Sequence, residues 1–161
     1  MSVAHDVFSE TNPAFCAYAL AGFIAAFAKV NDRGPELPVA YLALPVALSG
    51  DLRGAFDGTN KNTGLLEWLE RSPQIQVGLV ERMNGSLSIV TGAIRFGCFS
   101  RVLAVDEGAR LHLGERKIKK NVVNAVSEGT AQSLKRAERL GYWFAAAGST
   151  KTVFDMMGLT V

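Results

Sequence analysis

The residue types that carry out catalysis or bind metal ions are few in this chain, and they do not combine into a site. The two histidines, His5 and His112, lie far apart and lack the H-x-x-x-H or cysteine spacing of a zinc site. Cys16 and Cys98 stand among apolar residues, which predicts buried, reduced thiols. The sequence holds no nucleophile elbow, nucleotide-binding loop or dinucleotide-binding turn. We therefore predict a protein that is not an enzyme and has no catalytic residues, cofactor or metal.

One pair of carboxylates could in principle supply acid and base. Glu67 and Glu70 flank Trp68 and Leu69 on a predicted helix. Charges on an exposed helix face are in most cases solvated, so we assign these two residues no chemistry.

Composition points to a folded protein. With 161 residues, 48% of them apolar and 20% charged, the chain is predicted to form one domain over residues 1–161, with a flexible N-terminus over residues 1–11. The net charge of +2 is too small to indicate a nucleic-acid partner by itself. The first residues lack a basic segment before an apolar run, so we expect a cytoplasmic protein without a secretory signal.

A short basic run offers the clearest positive charge, with cations at Arg116, Lys117, Lys119 and Lys120. Such a run could contact phosphates weakly and without sequence preference. No aromatic residue interleaves with it to stack on bases, and a solvated loop is the preferred interpretation.

The elements that must position any site begin with an apolar stretch at residues 14–28. Asn12 is suited to cap a helix and Pro13 to its first position. The stretch is shorter than the roughly 20 residues that cross a bilayer, so it predicts a buried core helix rather than a membrane span. A helix that is apolar nearly all round must be covered by the rest of the domain or by a partner.

A second apolar run, Leu37 to Leu48, contains Pro45. Since proline breaks a helix and favours extended geometry before it, we expect a break there. Residues 37–44 are then either a short buried strand or a helical turn, which the sequence leaves open. A helix should follow from near Pro45 to about Phe56.

The middle of the chain shows three helical patterns followed by a period of two. We predict a helix at Leu65–Leu69 and a second from Pro73 through Met83, which ends at Asn84-Gly85 with a glycine able to adopt a positive φ. A third is predicted at Ser86–Phe99, where Ile89, Ala93, Ile94 and Phe96 recur at helical spacing. A β-hairpin with a glycine in its turn follows over Val102–Leu113. This order is typical of a winged helix-turn-helix core. Arg95 is the single charge on the last helix, which favours protein contacts over the reading of bases.

A long helix is predicted from about Thr130 to Ala147. Its apolar stripe comprises Leu134, Ala137, Leu140, Gly141, Phe144 and Ala145, while Lys135, Arg136, Glu138 and Arg139 are expected to point away. Gly141 inside a helix predicts close packing against another backbone. A final short helix should run from Val153 to Met157.

Large aromatic side chains supply the candidate partner interface. We assign it to Trp68, Tyr142, Trp143 and Phe144, and expect at least one of the two tryptophans to be a core residue instead. The predicted fold class is therefore mainly α with a small β-hairpin, a winged helix-turn-helix-like core flanked by an N-terminal apolar helix and a long C-terminal helix.

The order of several short signatures resembles one bacterial family. They are Asn12-Pro13-Ala14-Phe15, Tyr41-Leu42-Ala43-Leu44-Pro45, Leu65-Leu66-Glu67-Trp68-Leu69, Leu140-Gly141-Tyr142-Trp143-Phe144 and Met157-Gly158-Leu159. Over roughly residues 10 to 161 the chain resembles the middle component of bacterial three-component ABC systems.

The resemblance implies a non-enzymatic adaptor in a system of defence against phage or other invading DNA. Its implied partners are an ABC-class ATPase related to DNA-repair ATPases and a third, C-terminal component, with no membrane and at most indirect or non-specific contact with nucleic acid. The family supplies no catalytic residues. A winged-helix DNA-binding transcriptional regulator remains the alternative, along with a small enzyme whose site is dispersed in the sequence.

Overall fold

The computed structural model of the protein describes residues 12–117 and 128–160. Within them the chain is mainly helical, with a two-stranded antiparallel sheet, which confirms the coarse fold class. The predicted flexible N-terminus lies outside the described residues. The elements in chain order are α1 (Pro13–Val30), α2 (Leu37–Leu48), a first 3-10 helix (Gly50–Phe56), α3 (Leu65–Arg71), a second 3-10 helix (Pro73–Gln76), α4 (Leu79–Gly85), α5 (Leu87–Phe99), β1 (Leu103–Val105), β2 (Leu111–Leu113), α6 (Glu128–Ala147) and α7 (Thr150–Met156).

The N-terminal end of α1 forms as its sequence predicts. The Asn12 side-chain oxygen accepts hydrogen bonds from the Ala14 and Phe15 N–H groups, at 2.9 and 3.3 Å. Pro13 takes the first helical position, where a missing N–H costs nothing. By length and composition alone, α1 is the one described helix that could cross a membrane, and half of it is buried inside the protein.

The backbones of α1 and α6 approach each other closely in the core. A Cβ added at Gly141 would overlap the Phe23 carbonyl oxygen and would lie 2.9 Å from the Ala26 Cβ. The predicted close packing at Gly141 is therefore confirmed. The apolar stripe of α6 is also confirmed, since Ala137, Leu140 and the other stripe residues are all buried.

The prediction that Pro45 divides the second apolar run is wrong. One helix, α2, spans the run with Pro45 inside its last turn, and a separate 3-10 helix follows after Ser49. A proline there removes a single hydrogen-bond donor from the helix. Burial of almost every side chain from Val39 to Leu48 outweighs that loss, because each large apolar side chain contributes roughly 1.5–3 kcal/mol.

The segment predicted as one helix from Pro73 to Met83 is divided in two. The chain turns at Gly78, whose φ of 68° is left-handed, and α4 begins at the next residue. The predicted end of the helix at Gly85 is confirmed, but the φ of Gly85 is not positive. Since α5 begins at Leu87, the chain passes from α4 to α5 through Ser86 alone and needs no left-handed residue there.

The predicted hairpin is confirmed, with Leu103 opposite Leu113 and Val105 opposite Leu111. Its turn includes Gly108, although the left-handed φ of 60° belongs to Ala109. A Cβ at Gly97 would lie 2.6 Å from the Leu103 Cγ, so α5 packs directly on β1. The order α3, α4, α5 and hairpin is the predicted one, and its identification as a winged helix stays a prediction.

Candidate functional site

Three of the four predicted interface residues lie in the core. Trp68, Trp143 and Phe144 have 0% of their surface exposed, whereas Tyr142 is half-buried. A side chain without exposed surface cannot contact a partner unless the domain opens. Of the four, Tyr142 alone has surface to offer, and the ammonium groups of Lys29 and Lys61 lie 5.9 and 5.8 Å from the centre of its ring.

The two tryptophans and Phe56 form a buried aromatic group, which we call the tryptophan cluster. The two indole rings are 5.1 Å apart, and Phe56 stacks on Trp143 at 5.9 Å with 7° between the ring planes. The Trp68 indole N–H donates to the Ala55 carbonyl and the Trp143 indole N–H to the Asn60 carbonyl, both at 2.9 Å. The cluster therefore fixes the backbone of residues 55–60 from the inside.

Two arginines of α6 bond backbone carbonyls of other elements, so the prediction that they point away is wrong. Arg136 is 7% exposed and donates through Nε to the Ala47 carbonyl at 2.8 Å. Arg139 donates through Nη1 to the Phe56 carbonyl and the Thr59 hydroxyl oxygen. Ala47 lies in the last turn of α2, where carbonyls lack helical partners and attract cations. The partners of both arginines lie 80 or more positions away in the sequence, so no local pattern could predict these contacts.

A groove of about 740 Å³ lies between the segment 50–59 and α6. One wall is the segment 50–59, and the other is the face of α6 that carries Gln132, Lys135, Arg136 and Arg139. We call it the basic groove. Sequence reasoning missed it, since its cations are distributed along α6 and the first 3-10 helix rather than in one run.

The rim of the basic groove contains a fixed ion pair. Both carboxylate oxygens of Asp51 accept from Arg82, at 3.0 and 2.8 Å, and Arg82 also donates to the Ser49 hydroxyl. The hydrogen bonds from Arg82 hold the pKa of the Asp51 carboxyl below its usual range, despite partial desolvation. This pair ties α4 to the first 3-10 helix.

The outward face of α5 is the second unusual surface. Its exposed or half-exposed side chains recur at helical spacing, at Ser88, Gly92, Arg95, Phe96 and Phe99. Phe99 is 92% exposed and Phe96 is 41% exposed. We call these five residues the α5 face. The sequence correctly placed Phe96 on a helix at helical spacing. That spacing did not show that Phe96 lies outside the buried stripe, which consists of Val90, Ala93 and Gly97.

The predicted nucleic-acid contacts are described in part. Arg116 and Lys117 are exposed and border an apolar cavity of about 280 Å³ between α1, α6 and the end of the hairpin. Lys119 and Lys120 lie outside the described residues. The structure therefore brings together two of the four predicted cations.

The remaining reactive groups stay separate. Within residues 12–117 and 128–160, no three His, Cys, Asp or Glu side chains are grouped to hold a metal ion. His112 Nε2 lies 2.7 Å from an Asp106 carboxylate oxygen, and the hydrogen bond from the Arg110 N–H, followed by that of His112, lowers the pKa of Asp106. Cys16 is buried, and partial burial raises the pKa of the Cys98 thiol.

Comparison with known proteins identifies the family. The model of the family described as ABC-three component (ABC-3C) system Middle Component 3 matches residues 3–161. No curated protein and no solved structure matches the chain. The chain belongs to this family of middle components, as the resemblance in its sequence predicts.

Proposed function

We propose that this protein is a non-enzymatic accessory subunit that couples an ABC-class, DNA-repair-like ATPase to a third component of a bacterial defence system. Membership of a three-component family supports it, because a middle component has partner proteins by definition of the system. The proposal places the subunit in the cytoplasm, not in a membrane, with α1 half covered by its own domain.

The observation that carries the proposal is the α5 face. Two phenylalanines one helical turn apart are exposed there, with 92% of Phe99 in contact with solvent. Aromatic side chains are enriched at the centres of protein interfaces, where they become fully desolvated. The small residues Ser88 and Gly92 on the same face leave room for a partner backbone, since a Cβ at Gly92 would meet nothing within 4 Å. Tyr142 is a second, smaller candidate contact.

The alternative function is a winged-helix DNA-binding regulator. It is favoured by the hairpin that follows α5 directly. The α5 face carries one cation, Arg95, and no Asn or Gln, so it offers little to phosphates or base edges. An adaptor therefore accounts for this surface better than a regulator does.

Co-expression of the three components and affinity purification through a tag on the ATPase test the proposal. We expect the wild-type chain to be recovered in stoichiometric amount, and the double variant Phe96→Ser/Phe99→Ser to be lost. The control is Val77→Ser, which removes another exposed apolar side chain, 75% exposed, from outside α5. Equal recovery of the wild type and both variants would exclude the α5 face as the interface. Absence of the wild type from the complex would exclude the adaptor.

A DNA-binding assay separates the two functions. Fluorescence anisotropy with duplex DNA at two salt concentrations should show weak binding that disappears as salt rises. Tight, sequence-dependent binding that survives raised salt and is lost on mutation of α5 would establish the regulator instead.

A further inference from the structure

The basic groove has the size of a small-molecule site. Its volume of about 740 Å³ falls within the roughly 300–1,000 Å³ typical of ligand pockets. Two rigid elements form its walls, α6 and the segment 50–59, and the tryptophan cluster holds the second of these from behind. A groove whose walls are fixed before binding loses little conformational entropy when a ligand enters.

The charges that line the groove are unbalanced. Arg53, Lys135 and Arg139 make no ion pair with any described residue. Of the two described carboxylates at the groove, Asp51 is already neutralised by Arg82, which leaves Asp57. Among the described residues, three cations therefore face one unpaired carboxylate, and this excess attracts an anion with more than one charge.

Hydrogen bonds hold the side chain of Arg139 in place at the groove. Its Nη1 is held by the Phe56 carbonyl at 3.2 Å and the Thr59 hydroxyl at 2.9 Å, so the guanidinium group is fixed in the wall. Partial burial lowers the pKa of Arg139 by desolvating its charged form. A planar guanidinium fixed in this way suits the oxygens of a phosphate group.

The other lining groups are polar and neutral. Gln132 presents an amide to the groove, beside the Ser133 and Thr59 hydroxyls, which already accept hydrogen bonds from Arg136 and Arg139. The amide can hydrogen-bond the uncharged part of a ligand, such as a sugar or a base edge. Duplex DNA is too wide to enter a concave site of this volume, so a small molecule fits better than a duplex.

From the charge excess, the volume and the polar lining, we infer that the basic groove binds a small phosphate-bearing ligand of about nucleotide size. The site is separate from the α5 face, and the inference stands whether or not that face binds a partner. The inference concerns binding and assigns no reaction to the groove.

Isothermal titration calorimetry on the full chain at low salt tests this inference with ADP and inorganic phosphate as probes. We expect ADP to bind and inorganic phosphate to bind more weakly. The double variant Arg53→Gln/Lys135→Gln should bind ADP about tenfold more weakly, because each of its two lost charge-assisted contacts contributes about half of that loss in binding free energy. Both side chains are exposed, so this variant should fold. Arg139→Gln should have a larger effect but also removes wall contacts.

The control is Arg116→Gln/Lys117→Gln, which removes two exposed cations beside the other cavity and should leave ADP affinity unchanged. Equal loss in the control would show general charge attraction and would overturn the inference. Absence of ADP binding at millimolar concentration would also overturn it. A 20-base-pair duplex serves as a competitor: if it binds more tightly than ADP and depends on Arg53 and Lys135, the groove contacts a nucleic-acid backbone and the small-ligand assignment is wrong.

Discussion

The tryptophan cluster and the α5 face both concentrate aromatic side chains, yet they place them in opposite environments. In the cluster, each indole ring is buried and its N–H has a carbonyl partner at 2.9 Å. On the α5 face, Phe96 and Phe99 present rings to solvent and have no polar group to satisfy. Burial of a ring whose N–H has a hydrogen-bond partner stabilises the fold. An exposed aromatic ring contributes to stability only when a partner covers it.

Substitutions of aromatic residues should therefore have different effects in the tryptophan cluster and on the α5 face. Aromatic residues in the cluster should control stability and the shape of the basic groove, and they should affect partner binding only indirectly. Aromatic residues on the α5 face should affect partner binding and leave stability nearly unchanged. Four measurements test or refine this division, beginning with the largest expected effect.

The most direct test replaces one aromatic residue from each region. Trp68→Ala should lower the free energy of unfolding by about 3–5 kcal/mol, because it leaves a large cavity and an unsatisfied Ala55 carbonyl. Phe99→Ala should change it by less than about 0.5 kcal/mol. Urea denaturation monitored by circular dichroism measures both. A comparable loss of stability in the two variants would break the comparison.

A glycine pair tests whether packing follows the same division. Gly141→Ala should destabilise the protein by about 2–3 kcal/mol, since the new methyl group overlaps the Phe23 carbonyl oxygen on α1. Gly92→Ala, on the α5 face, should instead stabilise it by about 0.5–1 kcal/mol through helix propensity. Thermal unfolding provides the readout. A stabilised Gly141→Ala protein would show that α1 and α6 are not in close contact.

The indole N–H groups can be tested apart from the rings. Trp143→Phe keeps an aromatic ring and removes the donor to the Asn60 carbonyl, so we expect a loss of about 1–2 kcal/mol. Amide hydrogen exchange in residues 55–60 should also accelerate. The neighbouring Tyr142→Phe, which removes the hydroxyl of a half-buried ring, is the control and should leave exchange in this segment unchanged.

The smallest effect concerns pH at the rim of the basic groove. Because the pKa of Asp51 is lowered in the folded state, its ion pair with Arg82 stabilises the protein above the usual aspartate range and loses this effect as pH falls through the folded pKa. Since the side chain is largely exposed, we expect Asp51→Asn to cost about 0.5 kcal/mol at pH 7. The difference from wild type should vanish near pH 2. Asp57→Asn, which breaks no described ion pair, should show no such difference at either pH.

Local patterns were sufficient to predict much of the fold. The Asn12 cap, the stripe of α6, the hairpin and the close approach at Gly141 depend on residue types within one or two helical turns, and these features were predicted correctly. The predicted break at Pro45 was wrong because elements distant in sequence bury the side chains of α2 and keep this helix continuous.

The candidate site was harder to predict than the fold. Arg136 and Arg139 have the periodicity of a solvated face, and their carbonyl partners come from α2 and the first 3-10 helix. Phe99 follows a buried stripe so closely that spacing alone does not indicate which side of α5 it occupies. Both surfaces are products of tertiary packing, which one sequence does not reveal.

The pairing of α1 with α6 also sets an order of events during synthesis. A ribosome adds roughly 5–20 residues per second, so about 6–23 s separate the appearance of Val30 from that of Ala147. Throughout that interval the α6 side of α1, including the backbone that Gly141 approaches, has no cover from its own chain. The packing of α1 against α6 therefore waits for the last quarter of the chain, and until then this apolar face of α1 has to stay free of aggregation.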